Sequence, residues 1–514
     1  MHLRARHLRI ASQALFLLVF LASFWAVAAQ GFRGLTATVL LALDPLTATG
    51  SLLADWTVPR WAWLGLGVLA LSALAGRFFC GWVCPLGTLQ QLASWLAAPR
   101  GRLRRNRNRY RPWFAAKYLV LTFLLAWAAG GALHTGWLAP LPLLERAVAG
   151  GLRPLWHGGA SPAGWVSLFL VGLILVLSTW IPRLYCRAVC PAGALMGLLA
   201  RAAPLRIRRS DTTCTGCELC LMACQGADEP LTEHRVSECH VCLNCLPACP
   251  ESGLSWGLAP VPSRPPSPPL DVGRRRFLVT AAAGLAAAPV AAVSGGGREA
   301  SAADAIRPPG ALAEDQFLAR CITCGACVAS CPTGALVSDL GRTGLDGLFT
   351  PVLVPRRGWC EPSCTRCGEV CPTGALELLS PREKQAIGGP ADVVIGTAFV
   401  DRGRCLPWAM AVPCIVCEEM CPTSPKAIWL EEVTATDRKG RAVTLQRPHL
   451  DPELCTGCGL CENRCPVGEE AAIRVFSVGE SRSATNRLLR QLPPPNRPEP
   501  PVPGPAGEPS GPRG

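Results

Sequence analysis

Acidic residues are almost missing from the front of this 514-residue chain. Residues 1–200 hold only Asp44, Asp55 and Glu145 against eighteen Lys and Arg, whereas the remainder holds 32 basic and 33 acidic side chains. The formal charge of +14 therefore belongs to the front of the chain. A nucleic-acid partner would need that charge beside a groove-reading or base-stacking motif, and none is present. There is no Walker loop, no Rossmann fingerprint and no assigned nucleophile, so nucleotide chemistry has no seat. No Cys-x2-Cys-His run occurs, which excludes covalently attached haem. No histidine falls inside the four longest apolar runs, which excludes a haem held between helices by axial histidines.

Those runs cover 10–30, 61–79, 115–133 and 164–182, and each approaches the roughly 20 residues that cross a bilayer. Only Arg77 and Lys117 interrupt them, both near ends where long side chains can snorkel. Basic residues cluster at alternate ends. Arg4, Arg6 and Arg9 open the first run, seven arginines fill 100–111, and Arg183, Arg187, Arg201, Arg206, Arg208 and Arg209 follow the fourth. Loops 31–60 and 134–163 carry only Arg33, Arg60, Arg146 and Arg153. The positive-inside rule then places the N-terminus, the 80–114 loop and the chain after 182 in the cytoplasm. His134, His157, Asp44, Asp55 and Glu145 are the titratable groups of the external loops; they read as ordinary solvated loop residues, and no residue is nominated as catalytic.

Cysteine is where the chain is rich. All 28 fall into short-spaced groups, unlike the scattered pattern of a disulfide scaffold. Cys214, Cys217, Cys220 and Cys224 form one C-x2-C-x2-C-x3-C run, and Cys239, Cys242, Cys245 and Cys249 repeat it. This is the spacing of two-cluster bacterial ferredoxins, in which the fourth cysteine serves the other run's [4Fe–4S] cluster. Cys249 would then join Cys214, Cys217 and Cys220, and Cys224 would join Cys239, Cys242 and Cys245. Gln225 departs from the pattern, standing where proline is usual. Zinc favours two separated Cys-x2-Cys pairs over triple runs.

Four further runs follow: Cys321, Cys324, Cys327 and Cys331; Cys360, Cys364, Cys367 and Cys371; Cys405, Cys414, Cys417 and Cys421; Cys455, Cys458, Cys461 and Cys465. All four end in Cys-Pro, and 331–336 and 371–376 repeat Cys-Pro-Thr-Gly-Ala-Leu, the mark of a duplicated unit. Six [4Fe–4S] clusters are expected in total. Nested pairing of the last four runs and pairing of neighbours both fit the spacing.

Between the two groups lie a Pro-rich linker at 260–270, the run Arg274-Arg275-Arg276-Phe277-Leu278 and an alanine-rich segment to Val293. This resembles a twin-arginine export signal placed internally. It also has the sense of a fifth crossing, basic end inside. Residues 481–514 are Pro- and Gly-rich and read as disordered.

Cys80, Cys84, Cys186 and Cys190 remain. Each pair forms Cys-x3-Cys-Pro after an apolar run. On a helix, i and i+4 share a face, so the pairs could meet as a four-thiolate redox or metal site.

On these motifs, the front 255 residues resemble the NapH-type membrane ferredoxin of periplasmic nitrate reductase systems. Residues 271–480 resemble its NapG-type partner, an exported four-cluster ferredoxin, so the chain looks like a fusion of the two. The resemblance implies a multi-pass protein of the bacterial inner membrane that passes electrons from the quinone pool to a periplasmic reductase or its electron-carrier subunit. The expected fold is a membrane α-helical bundle, four spans and a fifth, with α+β bacterial ferredoxin-like domains. Its parts are a membrane domain at 1–205, a cytoplasmic two-cluster domain at 206–258, a linker and membrane segment at 259–310, a periplasmic four-cluster domain at 311–480 and the tail. The competing reading is a non-catalytic relay or metal-centre maturation factor fed by a cytoplasmic donor.

Overall fold

The computed structural model describes residues 2–28, 35–56, 62–97, 102–152, 161–210, 212–229, 234–258, 272–293, 305–389, 391–436 and 439–486. The 260–270 linker, His157 and the tail from 487 lie outside them.

Helices dominate the front. In order they are α1 (His2–Ala28), α2 (Leu35–Ala42), α3 (Pro45–Asp55), α4 (Ala62–Ala75), α5 (Phe78–Trp82), α6 (Pro85–Leu96), α7 (Arg102–Asn108), α8 (Ala116–Ala129), α9 (Pro140–Ala147), α10 (Pro162–Trp180), α11 (Leu184–Ala188), α12 (Pro191–Ala200) and α13 (Arg274–Val293). Their starts follow local chemistry. Asp44 caps α3 by accepting from the Leu46 N–H, and Ser161 caps α10 by accepting from Gly164, each with proline at the first helical position.

Among the described residues, four stretches are long and apolar enough to cross a membrane: Arg6–Trp25, Arg105–Ala129, Pro162–Trp180 and Arg274–Val293. The expected run at 61–79 differs. It forms the 14-residue α4, about 21 Å long, because Gly76 turns into the left-handed region at φ 76°.

The helices alternate in direction. Gly65 near the start of α4 lies against the Asp44 carbonyl, whereas Gly76 beyond its end meets Val241. At the start of α10, Gly164 packs on Gly150, and near its end the Ser178 carbonyl accepts from Ser94 at 2.8 Å. Helix α13 lies along α8 in the same direction, with Gly284 on the Phe123 carbonyl and Ala288 on Gly130.

Among the described residues sheet is sparse: four two-stranded antiparallel ribbons. The first, β1 (Leu205–Arg209) with β2 (Leu254–Leu258), closes a small module around the first two cysteine runs. The larger module from 305 holds β3 (Leu336–Ser338) with β4 (Pro351–Leu353), β5 (Thr397–Val400) with β8 (Ile473–Phe476), and β6 (Ile428–Thr436) with β7 (Ala442–Leu450). Its order extends into the expected tail, where Arg482 bonds Glu314 at 2.7 Å.

The two modules occupy opposite ends of the helices. At one end of α1, Arg9 donates to Asn244 of the small module at 3.0 Å, while Phe24 packs beside Ala149 and Ala329 at the other. Fifteen residues of helix separate those contacts, about 22 Å. Lys117 and Tyr118 near the start of α8 bond Glu238 of the small module. Beyond the end of α8, the Leu133 N–H donates to the Leu318 carbonyl of the large module at 2.9 Å. Gly136 admits the Ile322 carbonyl there, where an added Cβ would collide with it.

The α8–α13 contact is testable. A Cβ at Gly284 would stand 2.5 Å from the Phe123 carbonyl oxygen, whereas one at Gly172 on α10 meets nothing within 4 Å. Gly284→Leu should cost about 1–3 kcal/mol and lower the apparent unfolding temperature in detergent. Gly172→Ala should leave it unchanged or raised. Equal behaviour of the two variants would remove the helix–helix contact.

Candidate iron–sulfur and thiol sites

Backbone conformation prepares the regular cysteine runs. Each two-residue gap holds one residue of positive φ: Gly216 and Glu218, Val241 and Leu243, Thr323 and Gly325, Gly457 and Gly459. Alternation of right- and left-handed residues turns successive N–H groups inward and makes an anion-binding nest, the environment that thiolates and sulfide need.

In the small module, Cys214, Cys217 and Cys220 line one cavity together with Cys249. Cys224 neighbours Cys242 and Cys245, and Cys239 neighbours the same two. The large module groups neighbouring runs. Cys371 lies next to Cys321, Cys324 and Cys327, and Cys331 lies next to Cys360 and Cys367. Cys405, Cys414 and Cys417 share a cavity with Cys465, and Cys455, Cys458 and Cys461 share another with Cys421. The first and fourth runs are not brought together as nesting would require. A hydrogen bond from the Cys360 N–H to the Cys458 carbonyl, 2.8 Å, ties the two pairs.

Among the described residues no three Cys, His, Asp or Glu side chains converge on a single ion. Four thiolates on zinc would stand only about 3.8 Å from one another, given Zn–S bonds of about 2.3 Å. Three cavities each lined by four cysteines offer room for a cluster.

Several neighbours were not visible in the spacing. The Thr423 hydroxyl lies 3.3 Å from Cys421 Sγ and that of Thr333 lies 3.6 Å from Cys331 Sγ, so the Cys-Pro-Thr repeat sets a hydroxyl beside the sulfur. Lys384 is buried and donates to the Glu361 carbonyl at 2.9 Å and to the Cys364 carbonyl, which holds a cation beside Cys360. Hydrogen bonds and charge at the sulfurs are what set a cluster's potential.

Cys80, Cys84, Cys186 and Cys190 are all buried, and Cys190 neighbours the other three. The expected shared helix face does not produce this. Each pair straddles a helix junction, Cys80 in α5 and Cys186 in α11, with Cys84 and Cys190 capping α6 and α12. Pro85 and Pro191 cannot continue a helix but suit a first turn, so the break is local. Cys190 Sγ accepts from the Gly193 N–H at 3.3 Å, and Gln90 Nε2 donates to Cys186 Sγ at 3.3 Å. Two buried arginines frame the group: Arg183 reaches the Cys80 carbonyl at 2.9 Å, and Arg77 the Cys186 carbonyl at 3.3 Å.

Among the described external-loop residues, Asp44, His134 and Glu145 are buried and Asp55 is half-buried. The large module meets two of them. Asp55 pairs with Arg320 at 2.5 Å, and His134 is buried, stacked on Trp127 at 4.2 Å and 3.5 Å from Asp346. Burial pushes the carboxyl of Glu145 up to about 8 and that of Asp44 up to about 6. The arginines behind the fourth run are also not free topology anchors alone. Arg183 and Arg187 are buried, and Arg187 donates to the Gln225 carbonyl at 2.9 Å.

Paired runs, cysteine nests and cysteine-lined cavities define an iron–sulfur protein of the ferredoxin type built for electron transfer. A profile described as "4Fe-4S dicluster domain" matches residues 320–375 and 412–469. One described as "4Fe-4S binding domain" matches 57–107 and 163–210, once over each Cys-x3-Cys-Pro junction. The chain is 41% identical over 177 residues to the methylamine utilization ferredoxin-type protein MauM of Methylorubrum extorquens, covering 34% of this chain and 73% of that protein. It is 39% identical over 224 residues to the ferredoxin-type protein NapG of Escherichia coli, covering 42% of this chain and 91% of NapG. The putative electron transport protein YccM of Escherichia coli is 31% identical over 202 residues, covering 37% of this chain and 54% of YccM. No solved structure matches. The chain belongs to the MauM/NapG family of ferredoxin-type proteins.

The neighbour grouping predicts the outcome of single substitutions. In redox-poised electron paramagnetic resonance, Cys371→Ser should alter the same signal as Cys321→Ser, and Cys465→Ser the same as Cys405→Ser. Coupling of Cys465→Ser to Cys321→Ser instead would restore the nested arrangement.

Proposed function

We propose that this chain fuses a NapH-like membrane ferredoxin to a NapG-like exported one and carries electrons from membrane quinol to a periplasmic acceptor, such as a nitrate reductase-like system. One observation carries the reading: two ferredoxin modules sit at opposite ends of one set of apolar helices, with four buried thiols among them. In a bilayer the arginine-rich ends of α1, α7 and α10 face the cytoplasm, and α13, parallel to α8, takes the chain outward to the large module. Two cluster sites then lie inside and four outside.

The ligand sets are Cys214, Cys217, Cys220 and Cys249; Cys224, Cys239, Cys242 and Cys245; Cys321, Cys324, Cys327 and Cys371; Cys331, Cys360, Cys364 and Cys367; Cys405, Cys414, Cys417 and Cys465; and Cys421, Cys455, Cys458 and Cys461. A [4Fe–4S] cluster held by such a set takes and gives one electron at a time. The chain's own residues supply order and bias. Buried cysteine pairs exclude water, Thr hydroxyls donate to sulfur, and Lys384 and Arg77 hold positive charge beside sites that gain an electron. Cys80, Cys84, Cys186 and Cys190 form a redox or metal site on the line between the two modules. Its position is supported by Arg77, which bonds both the Ser237 carbonyl of the small module at 3.0 Å and the Cys186 carbonyl.

One observation favours the relay reading as well. Cys217, in the small module, is exposed, which gives a soluble cytoplasmic donor a point of access. The two readings separate in one anaerobic experiment. The purified, cluster-loaded protein in detergent is oxidised, a reduced quinol analogue is added and the broad iron–sulfur absorbance is followed. Rapid bleaching is expected. A sample that dithionite bleaches but quinol leaves untouched would sink the quinol reading in favour of the relay.

A further inference from the structure

A cavity of about 660 Å³ opens between the first half of α1, α6 and the small ferredoxin module. This lies within the range of about 300–1,000 Å³ common for small-molecule sites. Its two ends differ. Toward the outside of the helical layer its walls are Ile10, Leu17, Leu92 and Trp95, and Ile10, Leu92 and Trp95 are well exposed. In the membrane reading those side chains face acyl chains. Inward the walls turn polar with Arg9, Gln91, Gln225 and Asn244, and the cavity reaches Cys224.

The polar end is clad in amides rather than bare charge. Arg9, almost wholly buried, donates to Asn244 at 3.0 Å, Gln225 at 3.2 Å and Gln91 at 3.5 Å. Arg183 donates to Gln91 at 2.7 Å and to the Cys80 carbonyl. A phosphate would have to displace those partners, whereas a neutral head with carbonyl or hydroxyl oxygens can share them. No carboxylate lines the cavity, so nothing there recruits a cation. Buried polar atoms still without partners, Arg9 Nε, Arg183 Nε and Asn108 Oδ1, leave two donors and one acceptor at this end.

We infer that this cavity receives the head of a lipid-soluble quinol, with its tail leaving between Ile10 and Trp95 and its ring beside Cys224. The inference rests on the quinol reading above. The chemistry balances there. The quinol loses two O–H protons and two electrons and becomes a quinone. The electrons pass singly to the oxidised iron–sulfur centre that Cys224 would share with Cys239, Cys242 and Cys245, which must be emptied between them. The protons pass to water at the mouth marked by Arg6, which is exposed at the start of α1. The arginine–amide cluster is therefore a positioning group, and the oxidant is the adjoining centre.

The test uses the full cluster-loaded chain. Ala14 lines the cavity from α1 without making any side-chain hydrogen bond, so Ala14→Trp fills the space and leaves the polar network intact. Leu18→Trp, on the exposed side of the same helix, is the control. Two readouts are taken: the rate of cluster bleaching by a quinol analogue, and the peptides labelled by a photoactivated azidoquinone. Ala14→Trp should slow quinol bleaching at least tenfold, with the extent of dithionite bleaching unchanged. Label should fall on α1 and α6 in the parent protein and disappear in the variant. Bleaching by quinol at the parental rate in Ala14→Trp would overturn this location while leaving quinol as the donor. Failure of quinol to bleach the parent protein would overturn both. Labelling of the unsubstituted protein keeps the inference exposed even if Ala14→Trp does not assemble. Label on other peptides, or label displaced by anionic phospholipid and not by quinone, would overturn the location.

Discussion

Buried guanidinium groups hold this structure together. Arg77, Arg146, Arg183 and Arg187 are at most 1% exposed, and each donates to backbone carbonyls on elements distant in sequence. A buried charge is tolerated only when its hydrogen bonds are met, and the planar fork of arginine meets several at once. Arg77 joins α4's end to the small module and to α11; Arg146 joins α9 to the large module through the Thr323 carbonyl and hydroxyl, both at 3.0 Å. Substituting lysine would keep the charge and lose the fork. These side chains help seat both cysteine-rich modules on the helices, beside contacts such as Leu133 N–H to the Leu318 carbonyl and Asp55 to Arg320.

That constraint also shapes the thiol group. Arg77 and Arg183 approach it through the carbonyls of Cys186 and Cys80 rather than through the sulfurs, so the sulfurs keep their own partners, Gly193 N–H and Gln90. The two halves are built alike: a short helix carrying one cysteine, a turn, and a second cysteine capping a helix that opens with proline. Cation, thiols and the small module are thereby packed into one buried volume. In the large module Arg146 plays the corresponding part, beside Cys321 and Cys324 and over the ring of Phe349 at 4.3 Å.

Much of this was readable from the chain itself, because cysteine runs, apolar runs and Pro-started helices are local. Cys-x2-Cys-x2-Cys can wind only tightly, and left-handed residues appear in each gap of the regular runs. The apolar stretches of α1, α8, α10 and α13 depend on composition alone. The run at 61–79 was the exception, since Gly76 ended the helix early. Asp55 and His134 read as solvated in the sequence because their partners in the large module, Arg320 and Asp346, lie far along the chain. Arg183 and Arg187 likewise looked like topology markers, since nothing in a stretch of sequence reveals which carbonyls will surround a guanidinium.

By itself the sequence determined the number and spacing of cysteine runs, the apolar segments and the side on which basic residues collect, all properties of neighbouring residues. Tertiary structure alone decided the rest. It grouped neighbouring runs rather than nested ones, drew the four remaining thiols together across helix junctions, and left a cavity between α1, α6 and Cys224. Each of these results from contacts between residues tens to hundreds of positions apart, whose geometry no local period encodes.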